Sequence, residues 1–159
     1  MSGGVLREVT DHAHAHVVAR ELAAVCAVPW RIEAALIEVL YNAIEHGRLG
    51  IGAERKAAWL SSGEWAQQCA LLQARRPAAD GRVEAARHAL SCGGWRFEVC
   101  DQGPGFDWQT ALARQAGPSA RSGRGLALAA NLAGAPLCFT EGGRRVAFEV
   151  PPIAAARLG

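Results

Sequence analysis

Asp101-Gln102-Gly103-Pro104-Gly105-Phe106 follows directly on Trp95-Arg96-Phe97-Glu98-Val99-Cys100. In that preceding run Trp95, Phe97 and Val99 alternate with Arg96, Glu98 and Cys100, the period of a half-buried strand, so Asp101 stands where the strand ends. Gly103 and Gly105 let the backbone reach positive φ and let a flat ligand approach with no Cβ in its way. Pro104 stiffens the turn between them. A carboxylate so placed can accept a hydrogen bond from an exocyclic amine such as that of adenine. Taken alone, D-x-G-x-G is also the pattern of an ordinary turn after a strand.

Two further stretches sharpen the reading. Upstream, Glu38-Val39-Leu40-Tyr41-Asn42-Ala43-Ile44-Glu45-His46-Gly47 places Glu38 and Asn42 four residues apart, on one face of a predicted helix that also carries Glu45 or His46. An ordinary amphipathic helix with its polar side in solvent has the same spacing; beside the glycine turns, the polar face points into a ligand site. Downstream, Ser122-Gly123-Arg124-Gly125-Leu126 opens the apolar run Leu126-Ala127-Leu128-Ala129-Ala130-Asn131-Leu132. A glycine turn feeding a helix N-terminus suits phosphate. No G-x-x-x-x-G-K-[ST] occurs and Lys56 lies outside any glycine-rich turn, so nucleotide binding would rest on these three stretches.

On these residues the chain resembles the GHKL ATPase superfamily, which includes histidine kinases, type II topoisomerase ATPase domains, MutL-type repair proteins and heat-shock chaperones. Residues 38–47 look like its N-box, 101–106 its first glycine box and 123–126 its second. The form E-x-x-x-N-A-x-x-H-G, then D-x-G-P-G-F and R-S-G-x-G, is most similar to bacterial anti-sigma-factor serine kinases and their relatives. The likeness extends over roughly residues 5–150.

The resemblance implies an α/β sandwich of the Bergerat ATP-binding type: a mostly antiparallel sheet, helices on one face, and nucleotide held between helices and a lid. It implies ATP and Mg²⁺, with Asn42 as metal ligand through its side-chain oxygen, a hard donor of the kind magnesium prefers. His46 and Phe106 belong to the nucleotide-contacting boxes. Asp101 would read the adenine amine, with Gly103 and Gly105 permitting close approach. Amides around Gly123, Gly125 and Leu126 would hold phosphates, and Arg121 or Arg124 would neutralise the terminal one. Glu38 would be the general base, taking a proton from a hydroxyl of a partner protein. The implied partners are an anti-sigma-factor antagonist, a sigma factor or both, and the pairing habit of relatives leaves a homodimer open. A histidine in a preceding dimerisation helix is not expected, which disfavours histidine autophosphorylation. The alternative is an ATP-binding interaction module without phosphotransfer. A structural domain with vestigial boxes is disfavoured because Glu38, Asn42, Asp101 and the glycines occur together.

With 159 residues, half of them hydrophobic, residues 1–152 are expected to form one domain, with 153–159 a loose tail. A net charge of +2 gives no argument for nucleic acid or an anionic membrane surface, and Lys56 is the sole lysine among seventeen basic residues. No apolar run reaches membrane-spanning length and no signal pattern opens the chain, so a cytoplasmic protein is expected. Five scattered cysteines (Cys26, Cys69, Cys92, Cys100, Cys138), none in C-x-x-C, point to reduced thiols rather than disulfides or zinc ligands.

The remaining elements follow from periodicity and punctuation. A short strand over residues 5–9 precedes a helix capped by Thr10 or Asp11 and running to about Cys26, with Val18, Leu22 and Val25 on one stripe. His12, His14 and His16 step by two and splay to different faces, which favours solvated side chains over a metal site. Pro29 opens the next helix, which stops at Gly47 and buries Ile32, Leu36, Val39 and Ala43. Residues 53–76 form a helical insertion that compact anti-sigma kinases lack. With Gly50-Ile51-Gly52, Glu54, Lys56, Gly63 and Trp65 it is similar to ATPase modules accompanying bacterial phosphatase and response-regulator proteins. Trp59 and Trp65 are expected to cover the core, with a partner surface as second choice. Residues 77–81 read as a polar turn. The alanines of residues 82–90 favour helix, but the resemblance implies a strand there, pairing with 95–101 across Cys92-Gly93-Gly94, and a strand is expected. The resemblance makes residues 107–122 the lid, and Gly, Pro and Ser near its end fit a mobile loop or a fixed surface loop equally. A helix ending near Gly134 is followed by a hairpin of 136–140 and 144–150 across Glu141-Gly142-Gly143, closed by Pro151-Pro152.

Overall fold

The computed structural model describes residues 4–76, 81–115 and 124–152. Strands Val5–Val9 (β1), Val83–Ala89 (β2), Trp95–Asp101 (β3), Cys138–Thr140 (β4) and Arg145–Val150 (β5) make one sheet in the order β1-β2-β3-β5-β4, with every neighbouring pair antiparallel. Among the described residues six α-helices accompany it: His12–Ala23 (α1), Pro29–Asn42 (α2), Ala53–Ser62 (α3), Trp65–Arg75 (α4), Trp108–Gln115 (α5) and Arg124–Ala133 (α6). This is the expected α+β arrangement of an antiparallel sheet covered by helices, compatible with a two-layer sandwich.

The alternation in β3 does what its period requires. Phe97 and Val99 are buried, opposite Phe148 and Val146 of β5, and the Phe97 and Phe148 rings stack with centroids 5.3 Å apart. The intervening residues carry ion pairs, Arg96 with Glu149 at 3.2 Å and Glu98 with Arg145. These side chains are partly solvated, so each pair contributes little to stability. In β2, Ala85 and Ala86 are buried between two ladders, and Leu90 N–H donates to the Gly94 carbonyl at 2.8 Å to close the hairpin. Pairing on both sides outweighs the helical preference of its alanines.

Asp11 caps α1, its carboxylate accepting from His14 N–H at 2.8 Å. That bond, partly opposed by burial, lowers the Asp11 pKa. The helix ends at Ala23, short of the expected Cys26, because Cys26 N–H turns back to the Ala23 carbonyl at 2.9 Å; Val25, past the end, still packs partly buried on the core. Pro29 opens α2, which buries Ile32, Leu36 and Val39 and lies between α1 and α6. Leu126, Ala129 and Ala133 form the buried stripe of α6, which ends at Gly134 with φ +67°.

The insertion is a helical hairpin, α3 and α4, turning at Gly63 in the left-handed region. Trp59 and Trp65 pack partly buried on the core with ring centroids 6.4 Å apart, the covering role expected of them, whereas Leu60 and Leu71 are exposed. Gln73 ties α4 to the start of α1 by donating to the Thr10 carbonyl at 2.7 Å. The lid expected as a loop is in its first half the helix α5, because Trp108 stacks on Phe139 with centroids 5.2 Å apart and anchors it. The rest of the lid (116–122), residues 77–80 of the polar turn and the 153–159 tail lie outside the described residues. Among the described residues all five cysteines are free, and no helix is long and apolar enough to cross a membrane.

Phe97→Ala removes a fully buried stacked ring and should lower unfolding free energy by about 3–5 kcal/mol in urea titrations. Trp30→Ala, at a side chain 66% exposed, should stay within about 0.5 kcal/mol of wild type.

Candidate functional site

Regular α-helix stops at Asn42, and Ala43–Arg48 wind as a π-helical turn. Leu49 N–H donates to the Ile44 carbonyl at 2.8 Å and Ile51 N–H to the Glu45 carbonyl at 2.7 Å. This corrects the expectation of one regular helix to Gly47. The widened turn also separates the two residues between which the spacing could not choose. His46 stays with Asn42 on the side of a cavity, and Glu45 turns inward, 2% exposed, to meet Lys56 Nζ and, at 3.4 Å, His12 Nε2. π turns are rare and collect at functional sites.

Gly47 brings this turn against the end of β3. A Cβ at Gly47 would overlap the Asp101 carboxyl, so the contact exists only because the residue is glycine. Asp101 Oδ1 accepts from Gly103 N–H at 2.8 Å. Burial pushes the Asp101 pKa up, against the Gly103 N–H and the charge of Arg144. The result is a desolvated carboxylate with one backbone donor and room for another.

A third contact joins α2 to α6. Glu38 Oε2 lies 2.6 Å from the position a Cβ on Gly125 would take, so the carboxylate rests against the first turn of α6. Between these contacts is a cavity of about 380 Å³, within the size range of small-ligand pockets. Asn42, His46, Pro104, Gly105, Phe106 and Leu126 line it. Gly50-Ile51-Gly52, Ala53 and Ala111 complete the wall, and a small recess beside it reaches Gly47 and Asp101. Burial lowers the His46 pKa, opposed by a hydrogen bond with the Ile51 backbone, which favours the neutral ring.

Of the predicted site residues, Asn42, His46, Asp101, Gly105, Phe106 and Leu126 border the cavity or its recess, Gly103 packs on Gly47, and Glu38 meets Gly125. Arg124 opens α6 with an exposed side chain. Arg121 and Gly123 lie outside the described residues. Sequence reasoning took Gly47 for a helix stop and missed its contact with Asp101, missed Gly50 to Ala53 as wall residues, and missed the Glu45–Lys56 pair. The position of Gly47 inside the motif was the available signal for the first; the other two had none.

The histidines depart from the solvated picture. His12 and His16 are four residues apart, so both reach Tyr41: His16 Nε2 lies 2.7 Å from the Tyr41 hydroxyl, and the His12 ring meets Tyr41 edge-on at 4.7 Å. His14 approaches the Thr10 hydroxyl at 3.2 Å, and only His16 is largely exposed. Among the described residues no group of three or more His, Cys, Asp or Glu could hold a metal ion. The chain matches no family model, no curated protein and no solved structure.

The direction of the Asp101 shift has a measurable consequence. A carboxyl whose folded pKa is raised contributes stability that is full below its unfolded pKa of about 4 and lost as pH rises through the folded value. Asp101→Asn keeps an oxygen for Gly103 N–H but cannot ionise. Without ligand it should melt above wild type at about pH 7, and calorimetric scans should show that gap closing as pH falls toward about 4.

Proposed function

We propose that this chain is an ATP-binding domain of the GHKL type acting as a protein serine/threonine kinase, with the anti-sigma-factor kinases as its nearest kind. The observation that carries the reading is the convergence of three stretches distant in sequence, 38–47, 101–106 and the start of α6, on one cavity. An accidental set of turn and helix motifs has no reason to meet.

In this reading adenine lies in the cavity with its amine turned toward the recess, where it donates to the Asp101 carboxylate and replaces hydration that burial has removed. Phosphates lie toward the N-terminus of α6, where backbone N–H groups and the helix dipole favour anions, with Arg124 and Arg121 supplying further positive charge. The Asn42 side-chain oxygen on the cavity wall is a hard donor of the kind magnesium prefers and would hold the ion. Magnesium held there would supply neutralisation of phosphate charge. Glu38, held beside Gly125, accepts the proton of a hydroxyl on the partner protein. The hydroxyl oxygen bonds to the γ-phosphorus, the bond from that phosphorus to the β–γ bridging oxygen breaks, and ADP leaves. The acceptor is a serine or threonine of an antagonist protein, with a sigma factor as the regulated partner. Exposed Leu60 and Leu71 on the insertion favour, as second reading, a nucleotide-controlled interaction module without phosphotransfer.

Calorimetric titration with a non-hydrolysable ATP analogue should show magnesium-dependent binding to wild type and loss of binding in Asp101→Asn. Folded wild-type protein that binds no nucleotide would falsify the proposal. Glu38→Ala should keep binding and lose phosphotransfer by about 10²-fold or more in assays with a serine-bearing partner; regulation of the partner that survives this change intact selects the second reading.

A further inference from the structure

Glu45 is 2% exposed, and a carboxylate so deeply buried persists only if it is paired. Its partners are His12 from α1 and Lys56 from α3. Burial by itself would raise the Glu45 pKa, but the bonds from His12 and Lys56 outweigh it and hold the group below its ordinary value. Lys56 Nζ also lies 5.1 Å from the centroid of the Trp65 ring in α4. One ammonium, the only lysine of the chain, therefore touches the π turn and α4 while being carried on α3. Within α3 no residue is buried.

Glu45 adjoins the cavity wall through its neighbours in the chain. His46 follows it in sequence, and the Glu45 carbonyl accepts from Ile51 N–H, which fixes the segment containing Gly50, Gly52 and Ala53. We propose that Lys56 is a positioning residue for the bound nucleotide: by pairing with Glu45 it fixes the π turn carrying His46 and couples the α3–α4 insertion to the cavity. Without Lys56 the buried carboxylate must take up a proton or move toward water, and either response disturbs the turn. Coupling is reciprocal, so nucleotide in the cavity must in turn steady the insertion. The inference rests on the cavity being a nucleotide site.

The test compares wild type, Lys56→Met and Lys56→Arg. Affinity for the non-hydrolysable ATP analogue is measured by calorimetry on protein shown to be folded by circular dichroism, with hydrogen exchange of α3 and α4 followed with and without analogue. Lys56→Met should bind about tenfold more weakly and Lys56→Arg close to wild type. Analogue should slow exchange in α3 and α4 of wild type, an effect Lys56→Met should lose; α4 has no residue on the cavity wall, so protection there must pass through the coupling. A purely structural role would lower melting temperature and leave the affinity of folded protein unchanged. Equal affinity of wild type and Lys56→Met, a Lys56→Arg as weak as Lys56→Met, or wild-type exchange that nucleotide does not move each overturns the proposal. Should Lys56→Met not fold, the wild-type exchange decides. Wild type that binds no analogue overturns the nucleotide reading itself, a different result from binding that is indifferent to Lys56.

Discussion

The rest of the molecule depends on the close approach of Gly47 to Asp101. It joins the end of the central helix to the end of a central strand at a point where any Cβ would overlap the carboxyl. Because α2 is packed between α1 and α6, fixing its end against β3 also fixes where α6 begins, and Glu38 meets Gly125 as a result. The cavity is the space these contacts leave open. Its walls come from backbone at glycines and from a few side chains, so its shape is set by how closely main chains approach rather than by the filling of a core.

Two carboxylates near that contact meet opposite fates. Glu45 is the more buried, yet its ionised form is favoured because an ammonium and an imidazole face it. Asp101 is less buried, yet its ionised form is disfavoured because a single backbone N–H and a more distant guanidinium do not make up for lost water. Charge pairing thus serves to hold the turn, and incomplete pairing leaves unspent hydrogen-bonding capacity facing a recess. A site that keeps such capacity carries a stability cost a purely structural strand end would not.

The elements that sequence made legible are those governed by local rules. Alternation in Trp95 to Cys100, the Asp11 cap, Pro29 at a helix start and Gly134 at a helix end each act over a few residues, and each stands where the pattern put it. Nothing local marks the alanine-rich strand through Ala85 and Ala86; only the family resemblance implied it. What could not be read depends on long-range packing. The π turn arises where α2 must meet β3, and nothing in Ala43 to Arg48 announces an extra residue per turn. His12 and His16 were judged by their two-residue steps, whereas Tyr41, from another helix, selects their four-residue relation. The Glu45–Lys56 pair spans the junction with an insertion whose docking no local pattern encodes.

The wide sequence separation of the contacting residues bears on the order in which the domain is made. Gly47 leaves the ribosome long before Asp101, and Glu38 longer still before Gly125, so the cavity has no existence in any N-terminal portion of a growing chain. The insertion hairpin, closed by the nearby Trp59 and Trp65, can form early, while the helix it borders waits for a sheet whose central strands arrive later. Until α6 is synthesised the polar face of α2 has nothing to face but solvent or a chaperone. A truncation before α6 would therefore remove the cavity outright rather than weaken it.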